Sequence, residues 1–177
     1  MKERFHARVM SIHWFDTPFG RCGIAWSGRE LTGFRLPETA DAVRQAALTE
    51  ADAHLPAWVT AITTRVRTHL AGRLEDFSDL PYAWSCVSDF KRDVYLKTLR
   101  ISPGATSTYG AIARALGLDN DGARAVGMAL GANPWPLVIP CHRVVSSSGA
   151  MTGFSGPGGI RTKTRLLVLE GAELISE

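Results

Sequence analysis

The chain has 177 residues, 45% hydrophobic and 21% charged, with a formal net charge of +3. That is enough apolar content to bury a core as one compact unit or two small ones, and no apolar run approaches the ~20 residues of a transmembrane helix. Charge is uneven: residues 1–89 carry 10 Lys+Arg against 11 Asp+Glu, whereas 90–177 carry 10 against 6, so the halves hold −1 and +4. An excess of positive charge on the second half suits a phosphate backbone.

The N-terminus, Met1-Lys2-Glu3-Arg4-Phe5-His6, lacks the apolar run of a signal peptide. Cys22, Cys86 and Cys141 are far apart with no Cys-x-x-Cys pair, which argues against a disulfide framework and fits a reducing, cytoplasmic setting. His6, His13, His54 and His69 do not fall at metal-ligand spacing, so no metal site is expected on Cys22 or Cys86.

In chain order, Ile12-His13-Trp14-Phe15, Cys22-Gly23-Ile24-Ala25-Trp26 and Leu31-Thr32-Gly33-Phe34-Arg35-Leu36 are short apolar runs. Thr17-Pro18-Phe19-Gly20 and Ser27-Gly28-Arg29 punctuate them, so they predict antiparallel strands and hairpins. A helix is expected over 39–48. Another follows Pro56, where Trp58, Ile62, Val66 and Leu70 recur every four residues and Gly72 stops the run. These side chains, with Trp14 and Trp26, are expected in the core. Leu74 to Ser88, interrupted by Pro81, reads as an extended linker. Phe90, Val94, Leu96 and Leu99 then mark a helix ended by Ser102-Pro103-Gly104.

Next come two short helical segments, Ser107 to Gly117 and Ala123 to Leu130, separated by Leu118-Asp119-Asn120-Asp121-Gly122, with the outline of a helix-turn-helix. The second is smooth: Ala123, Ala125 and Gly127 carry almost no side chain, and Arg124 is its only charge. Such a helix reads few base edges in a major groove but can approach a minor groove closely, with one arginine to enter the base stack. A tightly packed small-residue helix is the competing reading.

Downstream stands Asn133-Pro134-Trp135-Pro136-Leu137-Val138-Ile139-Pro140-Cys141-His142-Arg143-Val144-Val145. Pro140 fixes the backbone before a thiol, and an adjacent imidazole and guanidinium are groups that lower a thiol's pKa or relay its proton. The pattern suits a nucleophilic cysteine. A buried structural cysteine, a pure DNA-binding module, a helix-turn-helix regulator and a cysteine hydrolase are the rival readings.

From Tyr109 to Glu170 the chain resembles the O6-alkylguanine-DNA alkyltransferases, also called methylated-DNA–protein-cysteine methyltransferases. The resemblance rests on Pro-Cys-His-Arg-Val, Arg-Ala-Val-Gly, Gly-Ala-Asn-Pro and Leu-Glu-Gly, four blocks in order at compatible spacings, with weaker similarity over the rest. It implies an α+β fold. Residues 1–88 would form a small antiparallel-sheet domain with helices, ribonuclease-H-like, with its linker. Residues 89–177 would form a mostly helical, winged-helix-like domain carrying the helix-turn-helix.

The same resemblance implies roles. Cys141 would be the nucleophile, His142 its base through a water, and Glu170 the carboxylate that orients the histidine. Tyr109 would donate to the departing guanine, Asn133 would brace the turn, and Lys163 would lie at the site's edge. Ala123, Arg124, Ala125, Gly127 and Tyr109 would face DNA. Trp135, Val144, Val145, Gly153, Phe154 and Ser155 would wall the substrate pocket. The expected partner is double-stranded DNA bearing O6-alkylguanine, held through its minor groove by a monomer without cofactor or metal. The loop Gly156-Pro157-Gly158-Gly159 is longer by about two residues than in many relatives, and Phe154 stands where tyrosine is common. O4-alkylthymine and bulkier alkyl groups are therefore left open as substrates.

Overall fold

The structure is a computed structural model that describes residues 10–37, 55–119, 121–149 and 153–173. The helix expected over 39–48 lies outside the described residues.

Strands β1 (Ser11–Thr17), β2 (Gly20–Ser27) and β3 (Glu30–Arg35) form one antiparallel sheet in that order. Gly20 closes the first hairpin at φ 131° and Gly28 the second at φ 60°, backbone conformations that favour glycine. The register shifts between Ala25 and Trp26, where a bulge bends β2. Phe15, Cys22, Ile24, Leu31 and Phe34 point from the sheet into the core, and Trp26 is buried while Trp14 is only half-buried.

Helix α1 (Ala57–Leu70) starts after Pro56 as its sequence predicts and buries Val59, Ile62, Val66, His69 and Leu70. Trp58 sits at the edge of that stripe, half-buried. The stretch read as a linker is built into the fold. Leu31 donates its N–H to Pro81 O at 2.7 Å and Ala83 N–H returns to Leu31 O at 2.9 Å, so residues near Tyr82 pair with the free edge of β3. Phe77, Leu80, Tyr82 and Ala83 are buried there. Pro81 was the misleading signal: it bars a central strand position yet leaves its carbonyl free to accept from an edge.

A 3-10 turn (Trp84–Cys86) leads to α2 (Asp89–Thr98), capped by Ser88, whose side chain accepts from Lys91 N. Its buried residues are Val94, Tyr95 and Thr98. Phe90 and Leu96, two of the residues that marked the helix, are exposed. Strand β4 (Ser107–Thr108) enters α3 (Tyr109–Ala115), and Thr108 caps that helix through Ala111 N at 3.1 Å. Then come α4 (Gly122–Gly131), a 3-10 turn (Cys141–Arg143), β5 (Val144–Val145) parallel to β4, and α5 (Gly159–Leu169).

The sheet holds the loop between α4 and Cys141 in place. Phe34 N–H donates to Pro134 O at 2.9 Å, the Trp135 indole to Leu31 O at 2.9 Å, and the Tyr82 hydroxyl to Val138 O at 3.0 Å. Trp135 is fully buried against Tyr82, Trp84 and Tyr95. One residue of the loop, Leu137, is forced to φ 78°, a strained setting for a branched side chain that tightly packed surroundings must maintain.

Candidate active site

The sequence order Pro140-Cys141-His142-Arg143 becomes a single 3-10 turn whose three side chains are all buried. Cys141 keeps 9% of its surface, at the wall of a cavity of about 380 Å³. Asn133, Pro136, Phe154, Ser155, Gly156 and Pro157 line that cavity, together with Phe34, Arg35 and Leu36 from the end of β3. The last three come from the opposite half of the chain, and no local motif marks them. Of the residues expected to wall the pocket, Phe154 and Ser155 line this cavity, with Gly156 and Pro157 of the loop that follows. Gly153 does not line it; it lies beside Tyr109, whose hydroxyl donates to Gly153 O at 3.5 Å.

Three further expected pocket positions differ. Trp135 belongs to the aromatic core and does not line the cavity, because its indole N–H is taken by Leu31 O. Val144 and Val145 form β5, buried beside the turn, and do not line it either.

Burial pushes the Cys141 thiol up; an Asn133 hydrogen bond, the Lys163 charge and the backbone N–H groups of the turn pull it back without reversing the shift. The thiol therefore needs a base. Asn133 braces the approach: its Nδ2 donates to Ile139 O at 3.1 Å and its Oδ1 accepts Trp135 N–H at 2.9 Å. Lys163 is buried, donates to Val144 O at 2.6 Å and lies 5.8 Å from the Tyr109 ring centroid. Burial lowers its pKa to about 8, with Cys141 opposing. Tyr109 is raised, first by burial and then by Cys141.

Behind the turn lies the carboxylate. Glu170 Oε1 is 2.9 Å from His142 Nε2, 3.0 Å from His69 Nε2 and 2.8 Å from Arg143 Nη2, and Oε2 is 2.8 Å from Arg143 Nε. Burial alone would push Glu170 up; these hydrogen bonds outweigh it and hold the carboxyl well below the usual range. An ionised carboxylate only accepts, so His142 must carry its proton on Nε2. The lone pair then sits on Nδ1, a buried atom with no hydrogen-bond partner among the described residues. Burial keeps His142 below its ordinary pKa, with Glu170 opposing, so this lone pair is available at neutral pH.

Arg143 does not serve the thiol as its adjacency suggested. Its guanidinium grips Glu170 and donates to Ile101 O at 2.6 Å. His69, set aside by spacing, reaches the same carboxylate across 101 residues of sequence. Its one sequence signal was a histidine on the apolar stripe of α1.

On the outer face, Tyr109, Gly110, Ala123, Arg124, Gly127, Ser146, Ser147 and Gly153 line a shallow depression of about 470 Å³. The structure thus brings together four of the five residues expected to face DNA. Ala125 lies outside this depression, half-buried. Arg124 is exposed, and Met128, one turn on, is 71% exposed. Among the described residues there is no cluster of His, Cys, Asp and Glu able to hold a metal, and no helix long and apolar enough to cross a membrane.

These features define a class: an α+β protein in which a helix-turn-helix stands beside a buried cysteine backed by a histidine and a carboxylate. The profile described as "6-O-methylguanine DNA methyltransferase, DNA binding domain" matches residues 89–172. The methylated-DNA–protein-cysteine methyltransferase of Mycobacterium tuberculosis is 35% identical over 162 residues, covering 90% of this chain and 92% of its own. The crystal structure of Mycobacterium tuberculosis OGT in complex with DNA superposes with a TM-score of 0.71 at 31% identity, covering 90% and 92% of the two chains. A DNA base-flipping protein of Thermus thermophilus is 40% identical over 107 residues, 60% of this chain and 69% of its own. The chain belongs to the methylated-DNA–protein-cysteine methyltransferase family.

Proposed function

We propose that this protein repairs DNA by direct reversal, moving the alkyl group of an O6-alkylguanine to Cys141 in a single turnover. The observation that carries the reading is Cys141 at the wall of the cavity beside α4, on one turn with His142, whose Nε2 meets the buried Glu170 carboxylate. His142 Nδ1 takes the thiol proton through a bridging water, and Glu170 stabilises the imidazolium that results. The thiolate attacks the saturated carbon in line. Its S–C bond forms as the C–O6 bond breaks, and the electron pair leaves on guanine, which Tyr109 protonates. The product is a thioether, which no group in the site can cleave, so one molecule removes one lesion.

The target carbon is inside the duplex, so the nucleotide must rotate out to reach the cavity. The smooth face of α4 suits a close approach to the minor groove, and in this reading the exposed Arg124 fills the vacated stack. The protein acts as a monomer in this reading. Incubation with duplex DNA carrying O6-methylguanine, followed by intact-mass and peptide analysis, tests it. One added methyl on the Cys141 peptide is the expected result, and a methyl on Cys22 or Cys86, or none, refutes it.

A further inference from the structure

The buried imidazole of His69 is not required by the chemistry above, yet it is fully buried on α1 and hydrogen-bonded at both ring nitrogens. The backbone N–H of Glu75 donates to Nδ1 at 3.1 Å, so Nδ1 carries a lone pair and the proton is on Nε2. That N–H points at Glu170 Oε1, the same oxygen that receives His142. The Glu75 segment is itself fastened to α1: Arg65 binds the Glu75 and Asp79 carboxylates and the Asp76 carbonyl. A route of polar contacts thus runs from the segment after α1, through His69 and Glu170, to the base.

Resting on the proposed Cys141 chemistry, we infer that His69 is a positioning residue for alkyl transfer: its Nε2–H fixes and partly neutralises Glu170 Oε1, which sets both the orientation and the basicity of His142. The ionisable groups around His142 are Glu170, Arg143 from its own turn, His69 from α1 and, through Cys141, Lys163 from α5. Removing the His69 donor leaves Oε1 more negative toward His142. The His142 proton is then held to higher pH, and the imidazole loses one of the contacts that fix its plane through Glu170.

The two roles of His69 separate by substitution. In His69→Gln the amide nitrogen falls near Nε2 and keeps the donation to Glu170. In His69→Asn the amide oxygen falls near Nδ1 and keeps only the structural bond from Glu75. The experiment measures single-turnover alkylation by free O6-benzylguanine across pH 5 to 9, with unfolding midpoints alongside. His69→Asn is expected to react about 5- to 30-fold more slowly. The acid limb of its rate profile should move up by about half a unit to one unit. His69→Gln should stay within about threefold of wild type with its limb unmoved.

Equal rates for wild type and Asn, or equal slowing of Asn and Gln with no movement of the limb, overturn the inference and leave His69 a packing residue. If either variant fails to fold, nitrogen-15 NMR of the wild-type imidazoles decides: Nε2–H tautomers for both His69 and His142 support it, and an Nδ1–H tautomer for His69 overturns it. No alkylation of wild type either by free O6-benzylguanine or by a duplex carrying O6-methylguanine would instead strike the proposed function itself; where only the duplex reacts, the same comparison is run on it.

Discussion

His142 Nε2 lies 2.9 Å from Glu170 Oε1, and neither side chain reaches solvent. Arg143, also buried, depends on the same carboxylate for its counter-charge. Glu170→Gln should therefore cost about 3–5 kcal/mol of stability, the cost of leaving a buried charge unpaired. It should also slow alkyl uptake at least about tenfold, because the imidazolium loses its stabilising anion. Urea unfolding together with single-turnover kinetics reads both, and wild-type stability in the variant would show that the pair contributes nothing.

The same site should make the fold sensitive to acid. His142 has a lowered pKa when folded, so its contribution is full above the unfolded value near 6.5 and is lost as pH falls through it. Glu170 is also depressed, so its contribution is complete above the unfolded value near 4.3 and is lost as pH falls from there toward the folded pKa. Urea midpoints should decline in two stages below about pH 6.5, with the second stage beginning near 4.3. Glu170→Gln should retain the first stage and blunt the second. A midpoint that is flat from pH 7 to 4 contradicts this assignment.

Gly104 approaches the end of α5 so closely that a Cβ there would sit 2.9 Å from Glu170 O, and its φ is 81°. Gly104→Ala thus adds both backbone strain and a clash with main chain that cannot swing aside. A loss of about 1–3 kcal/mol is expected, with slower alkylation as the Glu170 carboxyl is displaced. Thermal unfolding and benzylguanine kinetics measure the two effects, and an unchanged rate would mean that the carboxylate tolerates the shift.

Cys141→Ser should abolish methyl uptake while leaving duplex binding nearly intact. The hydroxyl is far less acidic than a thiol and a poorer nucleophile toward saturated carbon. Cys141 is buried at the cavity wall and is absent from the depression that holds Arg124 and Ala123. A gel-shift titration beside a mass assay tests both parts. Retained methylation would remove Cys141 from the mechanism.

What the sequence disclosed follows the range of the interactions. The strands, α1, the helix-turn-helix and the Cys141 turn were readable because hydrophobic period, caps and turn residues act over a few positions. Trp135 sat inside the motif but was misassigned, since its neighbours Leu31, Tyr82 and Tyr95 are remote in sequence. The pairing of Tyr82 with β3 was hidden by Pro81, and Phe34 to Leu36 reach the cavity only through the packing of the sheet on the loop. His69 and Glu170 are 101 positions apart, a partnership that no local pattern encodes.

Arg124 is the only charged side chain on α4 and points outward, next to Ala123 and Gly127 in the depression shared with Tyr109. If it fills the stack vacated by a flipped nucleotide, its loss matters only when there is a stack to leave. Extruding a base costs a few kcal/mol, and free O6-benzylguanine incurs none of it. Arg124→Ala should slow repair of a methylated duplex about 5- to 150-fold, corresponding to one intercalating contact worth roughly 1–3 kcal/mol. Reaction with free benzylguanine should stay near wild type, because the cavity and the Cys141 turn do not include Arg124. Single-turnover kinetics on both substrates decide the matter. Equal slowing on the two would mean that Arg124 supports the fold or the pocket, and the DNA-facing role of α4 would have to be given up.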